Sequence, residues 1–147
     1  MDLNLDGSAG HFHFAARAVI LREGHVLMVK ARQSNQFYSH YTVGGRIRFG
    51  ETAEQAIERE ALEETGVAFK VERLLFVHEE FFERFHALGL ICLMKPNDAA
   101  VRTQTDEGEE LVWLPADRLA AYTVYPSFFK TELPSLTHEI KHFVTRD

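Results

Sequence analysis

The chain has 147 residues, 22 acidic and 16 basic, for a formal charge of −6. Its 46% hydrophobic and 26% charged content is that of a globular protein and excludes a disordered or fibrous chain. The length suits one domain over residues 1–147. The acid excess argues against a broad nucleic-acid surface, which needs a basic patch or stripe.

Residues 1–10 are polar and contain glycine, and are expected to be loosely ordered or an edge segment. They show neither the basic nor the apolar region of a secretory signal. No stretch approaches the roughly 18–20 apolar residues needed to span a bilayer. Cys92 is the one cysteine, so no intrachain disulfide forms, which suits a reducing compartment. The expectation is a soluble, cytoplasmic protein without a membrane partner.

Phe12 to Leu21 is aromatic and β-branched, with Arg17 as its only charge, and reads as a strand. Glu23-Gly24 breaks the pattern and His25 to Ala31 resumes it, predicting a hairpin. Gln33 to Tyr41 reads as a loop, and Tyr41 to Val43 as a short strand running into Gly44-Gly45. Thr52 to Thr65 is dense in helix formers and is stopped by Gly66. Val67 to Phe82 and Phe85 to Met94 read as strands around a polar turn. Pro96 to Glu109 is a polar loop and Leu111 to Trp113 a short strand. Helical segments are expected over Pro115 to Ala121 and Ser127 to Leu133. Thr137 to Thr145 suits either a strand or a helix. Strands on both sides of one strong helix predict a mixed α/β domain.

The chemistry concentrates around that helix. At about 100° per residue, Ala53, Ile57, Glu60 and Glu64 form one stripe, apolar at its start and acidic at its end. Glu63 lies beside it, while Glu54 and Glu58 point elsewhere and can be solvated. Glu60 and Glu64 repel as like charges one helical turn apart, and partial burial removes hydration from both. A hard divalent cation resolves both costs, because carboxylate oxygens are its preferred ligands. A solvated acidic face is the ordinary alternative for such a run. Arg59 is placed to pair with Glu63 and, across the helix start, with Glu51. Gly44, Gly45 and Gly50 just before the helix permit close approach of a ligand to the backbone.

These residues resemble the box of the Nudix (MutT-like) hydrolase family. The box runs Gly45, five residues, Glu51, seven residues, then Arg59-Glu60-Ala61-Leu62-Glu63-Glu64-Thr65-Gly66-Val67. Every charged and glycine position matches. Ala61 is smaller than the usual aliphatic residue, an expected packing difference, and Val43 stands where a proline often precedes the glycine pair. The resemblance implies an α/β/α sandwich with a mixed, curved sheet and a loop-helix-loop box. It implies hydrolysis of a nucleoside diphosphate linked to another moiety, with Mg²⁺, sometimes Mn²⁺, as the metal. By position, Glu60, Glu63 and Glu64 would hold the metal, with a carbonyl of Gly44 or Gly45. Gly45, Glu51 and Arg59 would order the loop.

A carboxylate must take the proton from the attacking water. Glu60 and Glu63 are candidates within the box. Glu107 and Glu110 are candidates in the acidic run Asp106 to Glu110. Arg46 and Arg48, alternating along the box loop, are candidate phosphate contacts. Phe37, Tyr38, Tyr41, Phe81, Phe82 and Phe85 are candidate stacking faces for a base, Tyr41 foremost; core packing is the alternative for each. His11 with His13, and His138 with His142, have metal-binding spacings but no third ligand nearby, and Cys92 reads as a core residue.

The substrate class stays open between a nucleoside triphosphate and a nucleotide conjugate. No proline occurs between Gly66 and Met94, although ADP-ribose pyrophosphatases carry one soon after the box. Phe81 to Arg84 holds no tyrosine of the dinucleoside polyphosphate type, and no Gln-Pro-Trp motif of NADH pyrophosphatases appears. A nucleotide-sensing module without turnover is disfavoured by the intact carboxylates. An RNA 5′-end pyrophosphohydrolase is disfavoured by the acidic charge. A small nucleotide is the expected partner, without nucleic acid; a homodimer is a state common in the family.

The acidity itself is local. Glu51 to Glu64 contains six acids and one base, a net of −5, and the rest of the chain carries −1. That local surplus is one that two or three divalent cations would offset while holding a polyphosphate.

Overall fold

Four consecutive residues of one strand, Val26, Leu27, Met28 and Val29, are all completely buried. Such a run marks a strand covered on both faces. Leu27 and Val29 join one core, Val26 and Met28 the other. The computed structural model that shows this describes residues 11–34, 37–82 and 85–146. The segment 1–10, expected to be loose, and residues 83 and 84, expected to form a polar turn, lie outside the described residues.

The strands are β1 (His11–Val19), β2 (Leu21–Arg22), β3 (His25–Lys30), β4 (His40–Arg46), β5 (Val71–Phe82), β6 (Phe85–Met94), β7 (Glu110–Pro115), β8 (Val124–Tyr125) and β9 (Lys141–Arg146). They form a mixed sheet in the order β2-β3-β4-β1-β6-β5-β9, with β7 also on β3 and β8 on β4. The β1–β6, β5–β9 and β4–β8 pairs are parallel and the others antiparallel. Register irregularities in β5 between Val71 and Arg73, and between Leu74 and Phe76, add local twist.

Helix α1 (Ala53–Thr65) packs against β1, β4 and β5. Thr52 caps it: the Gln55 N–H donates to Thr52 Oγ1 at 3.1 Å and the Thr52 N–H to Gln55 Oε1 at 2.9 Å. Gly66, at φ 78°, closes it by donating its N–H to the Leu62 carbonyl at 2.9 Å. The buried line of α1 is Ala56, Ile57, Ala61 and Thr65 rather than the expected stripe through Ala53. Only Ile57 is common to both. The side chain a helix buries is set by the sheet beneath it, and here that leaves Glu60 and Glu64 on the edge of the contact, half-buried. Ala61 is completely buried, so its small size is a packing feature.

The opposite face is covered by 3₁₀ turns at Ala116–Ala121 and Leu133–Ser135 and by the short helix α2 (Phe129–Glu132). Phe129 is fully buried there beside Leu119 and Leu133. The first helical expectation is thus realised as 3₁₀ structure and the second as the short helix α2 with a 3₁₀ turn after it, and Pro115 still belongs to β7. Three further boundaries move. Residues Val67 to Lys70 precede β5, β4 continues through Gly44-Gly45 to Arg46, and the C-terminal segment is a strand only from Lys141. Among the described residues no helix is long and apolar enough to cross a membrane.

Candidate active site

The site starts where the C-terminal half of β4 pairs with β1. Gly44 pairs with Arg17 of β1, and a Cβ on Gly44 would stand 2.3 Å from the Ala16 carbonyl oxygen and 2.8 Å from the Arg17 Cα. Only glycine allows that approach. The Gly44 N–H donates to Glu64 Oε2 at 3.1 Å, tying the end of α1 to the strand. At the next residue the contact is with the helix carboxylate: a Cβ on Gly45 would lie 2.4 Å from Glu60 Oε1.

Arg59 organises the acids around it. Its Nη2 and Nε donate to the two oxygens of Glu51 at 2.7 and 3.0 Å. Its Nη1 reaches Glu60 Oε1 at 2.9 Å and Glu63 Oε2 at 3.3 Å, and Nη2 also donates to the Arg46 carbonyl at 3.1 Å. The Arg48 N–H donates to Glu51 Oε1 at 2.8 Å. These bonds, led by Arg59, hold the Glu51 carboxyl well below its ordinary 4.5. Both pairings expected of Arg59 are present, and the pair with Glu51 is bidentate and mostly shielded from water.

Across from the helix, the loop before β7 folds on itself. Glu109 donates its N–H to Thr105 Oγ1 at 3.1 Å, and Thr105 donates to the Glu109 carbonyl at 2.7 Å. This turn presents Asp106, Glu107 and Glu109 to a polar cleft of about 360 Å³ whose other wall is Glu60, Glu63, Glu64, Gly44, Gly45, Tyr41 and Arg48. The Tyr41 hydroxyl donates to Glu109 Oε1 at 2.6 Å. Burial, with this bond to an acceptor, pushes the phenol far above its usual range.

Most candidates of the sequence reading therefore share one cleft, with Glu51 and Arg59 behind its wall. Two do not line it. Glu110 opens β7 opposite Lys30, with 3.9 Å between their charged groups. Arg46 is directed to His13, at 3.4 Å. Glu109 takes the place in the cleft that Glu110 does not, because strand alternation turns neighbours to opposite sides.

A second compartment of about 400 Å³ adjoins the first through Tyr41, Gly44 and Gly45. Phe37, Tyr38, Tyr125, Arg17 and Glu80 complete its lining. Phe37, Tyr38 and Tyr41 thus stand where a base can stack. Phe81 instead stacks on His86 at 4.2 Å, and Phe85 lies against His11 and His13. The side chain of Phe82 is outside the described residues. Arg17, Glu80 and Tyr125 were not anticipated as site residues, although Arg17 is the single charge of an otherwise apolar strand.

His138 and His142 do not share a helix face, since His142 lies in β9, where it meets Glu79 at 2.7 Å. Cys92 is buried and its thiol is pushed up to about 11 by burial.

Glu64 is the most perturbed acid of the cleft. Burial pushes its carboxyl up to about 8, with Glu60 and Asp106 adding to the rise against the opposing hydrogen bond from Gly44. The folded metal-free protein therefore holds a proton that the unfolded chain releases near 4.5. The resulting stabilisation is full below that value and is lost as pH rises to about 8. Thermal unfolding in chelator should show Tm falling across this window, less steeply in Glu64→Gln; equal slopes would contradict the assignment.

A family model described as the NUDIX domain matches residues 11–131. An ADP-ribose pyrophosphatase of Methanocaldococcus jannaschii is 32% identical over 87 residues, covering 57% of this chain and 51% of that protein. The chain thus spans about half the length of that curated relative. Among solved structures, a MutT protein from Bacillus halodurans superposes with a TM-score of 0.70 at 17% identity, covering 91% of this chain and 89% of that one. A MutT NUDIX hydrolase from Burkholderia pseudomallei gives 0.61 at 25% identity, covering 73% and 85%. With the matched span running from β1 into α2 and enclosing the whole acidic helix, the chain belongs to the Nudix hydrolase family.

Proposed function

We propose that the chain is a metal-dependent pyrophosphohydrolase that cleaves a phosphoanhydride bond in a nucleoside triphosphate or a nucleotide conjugate. The observation that carries this reading is the meeting of Glu60, Glu63 and Glu64 with Asp106, Glu107 and Glu109 around one cleft, beside an aromatic compartment. Nudix hydrolases generally use divalent metals such as Mg²⁺ and act on small nucleotide substrates.

The donor set fits a hard cation, being carboxylate oxygen throughout. Gly45 fits it too, since any side chain there would occupy the space of the Glu60 carboxylate. Among the described residues no three acidic, histidine or cysteine side chains already converge as a coordination group. Glu60 and Glu63 are turned onto Arg59 and Glu64 onto the Gly44 amide. Glu60, Glu63 and Glu64, with a carbonyl oxygen of Gly44, would hold Mg²⁺ or Mn²⁺, for which Glu60 and Glu63 would have to exchange Arg59 for the ion. The ion would supply charge neutralisation of the diphosphate and activation of water.

The remaining roles belong to the chain itself. Glu51 and Arg59 order the box loop. Arg48, on the cleft wall, meets phosphate; Arg46 is placed for this less well. Glu60, Glu63 and Glu107 line the cleft and are the candidates for the one carboxylate that takes the proton of the attacking water, whereas Glu110 faces Lys30 instead. Tyr41 forms the wall shared with the base compartment.

A phosphate-release screen over nucleoside triphosphates, ADP-ribose and other nucleotide conjugates with Mg²⁺ or Mn²⁺ tests the reading. Turnover of at least one substrate, abolished by chelator and restored by metal, is expected. Nucleotide binding with no turnover under any metal would point instead to a sensing module.

A further inference from the structure

The hydrolytic chemistry leaves one polar group unused. Arg17 from β1, Glu80 from β5 and Tyr125 from β8 meet at the wall of the aromatic compartment. The Arg17 guanidinium lies 5.0 Å from the centroid of the Tyr125 ring, and the Tyr125 hydroxyl donates to Glu80 Oε2. Tyr125 therefore sets a group that only donates beside a group that only accepts. An ionised carboxylate has about four lone-pair sites, so the bond from Tyr125 leaves acceptor capacity on both oxygens of Glu80.

The rest of the compartment consists largely of aromatic faces, which suit a flat ring without choosing among bases. Choice must then come from the polar edge. A carboxylate beside a guanidinium offers two acceptors and a donor. Guanine alone among the common bases presents the complement on one edge, two adjacent N–H donors next to a carbonyl. Adenine and cytosine have a single amino donor there, and uracil a single ring N–H between two carbonyls. An unmatched base leaves one of these partly buried groups unpaired, which is the stronger source of discrimination.

We propose that Arg17 and Glu80, braced by Tyr125, are specificity-determining residues that read the edge of a guanine base in the compartment next to the acidic cleft. The substrate class is then a guanine nucleotide or a guanosine diphosphate conjugate. In its catalytic consequence, though not in base binding, this rests on the pyrophosphohydrolase reading.

Titration calorimetry with GMP, AMP, UMP and CMP tests the base reading without turnover. GMP is expected to bind at least about tenfold more tightly than AMP. Glu80→Gln keeps an acceptor for the Tyr125 hydroxyl but presents an amide in place of one carboxylate oxygen. It should bring GMP and AMP to within about twofold of each other. Arg17→Met gives an independent check and should also shrink the preference. Equal affinities in the wild type, or a preference that survives in both variants, would overturn the proposal. In parallel, kcat/KM for GTP over ATP with Mg²⁺ should follow the same order. If no nucleotide is hydrolysed while GMP is still preferred, the hydrolase reading fails and the base reading stands.

Discussion

Glu64→Gln is expected to lower kcat by at least about 100-fold at saturating Mg²⁺ while leaving the protein folded. Loss of a residue that only supports a metal ligand typically costs about 10–100-fold, so loss of a ligand should cost more. The substitution keeps the shape of the side chain and its acceptor for the Gly44 N–H, 3.1 Å away in the wild type, and removes only the charge. It also removes a carboxylate whose burial disfavours ionisation. The metal-free variant should therefore unfold at a temperature no lower than the wild type at alkaline pH. Steady-state kinetics across a Mg²⁺ titration, read beside Tm, separates the two effects. Unchanged turnover would remove Glu64 from the metal site.

The second large effect distinguishes two adjacent glycines. A Cβ at Gly44 meets backbone atoms of β1, at 2.3 and 2.8 Å, so β1 and β4 must move apart. Gly44→Ala should destabilise the fold by about 3 kcal/mol, the upper end of overpacking costs. A Cβ at Gly45 meets the end of a side chain, the Glu60 carboxylate at 2.4 Å, which can swing away. Gly45→Ala should cost no more than about 1 kcal/mol of stability, since a flexible group yields cheaply. It should nonetheless lower turnover sharply, because the Cβ takes the space between Gly45 and Arg59 that the Glu60 carboxylate occupies. Urea denaturation and initial rates on both variants check the contrast. Two variants with the same balance of stability loss and activity loss would contradict it.

Legibility in the sequence followed the range of the interactions involved. The helix, its glycine stop and the Arg59 pairs are local, and composition and spacing were enough to find them, although the Thr52 cap went unread. The parity of the acidic run was not local. Whether Glu109 or Glu110 enters the cleft depends on which residue opens β7 opposite Lys30, and a one-residue difference turns every side chain over. The base compartment was least legible. Arg17, Glu80 and Tyr125 come from three strands far apart in the chain, and only the sheet order brings them together. The parallel β5–β9 pair explains why residues 137–145 suited two assignments. Their apolar content is low, and the strand is defined by its neighbour.

Arg59 has a thermodynamic consequence for the cleft. A guanidinium that holds Glu51, Glu60 and Glu63 together lets the helix bring its acids close without an ion present. Under the proposed metal reading, a cation would compete with Arg59 for Glu60 and Glu63, which would lower its apparent affinity. In exchange the loop is already ordered, and the entropy of fixing it was spent during folding rather than at binding. Exchanging Arg59 for an ion would then need only side-chain rotation, while the bidentate bond to Glu51 keeps the loop in place.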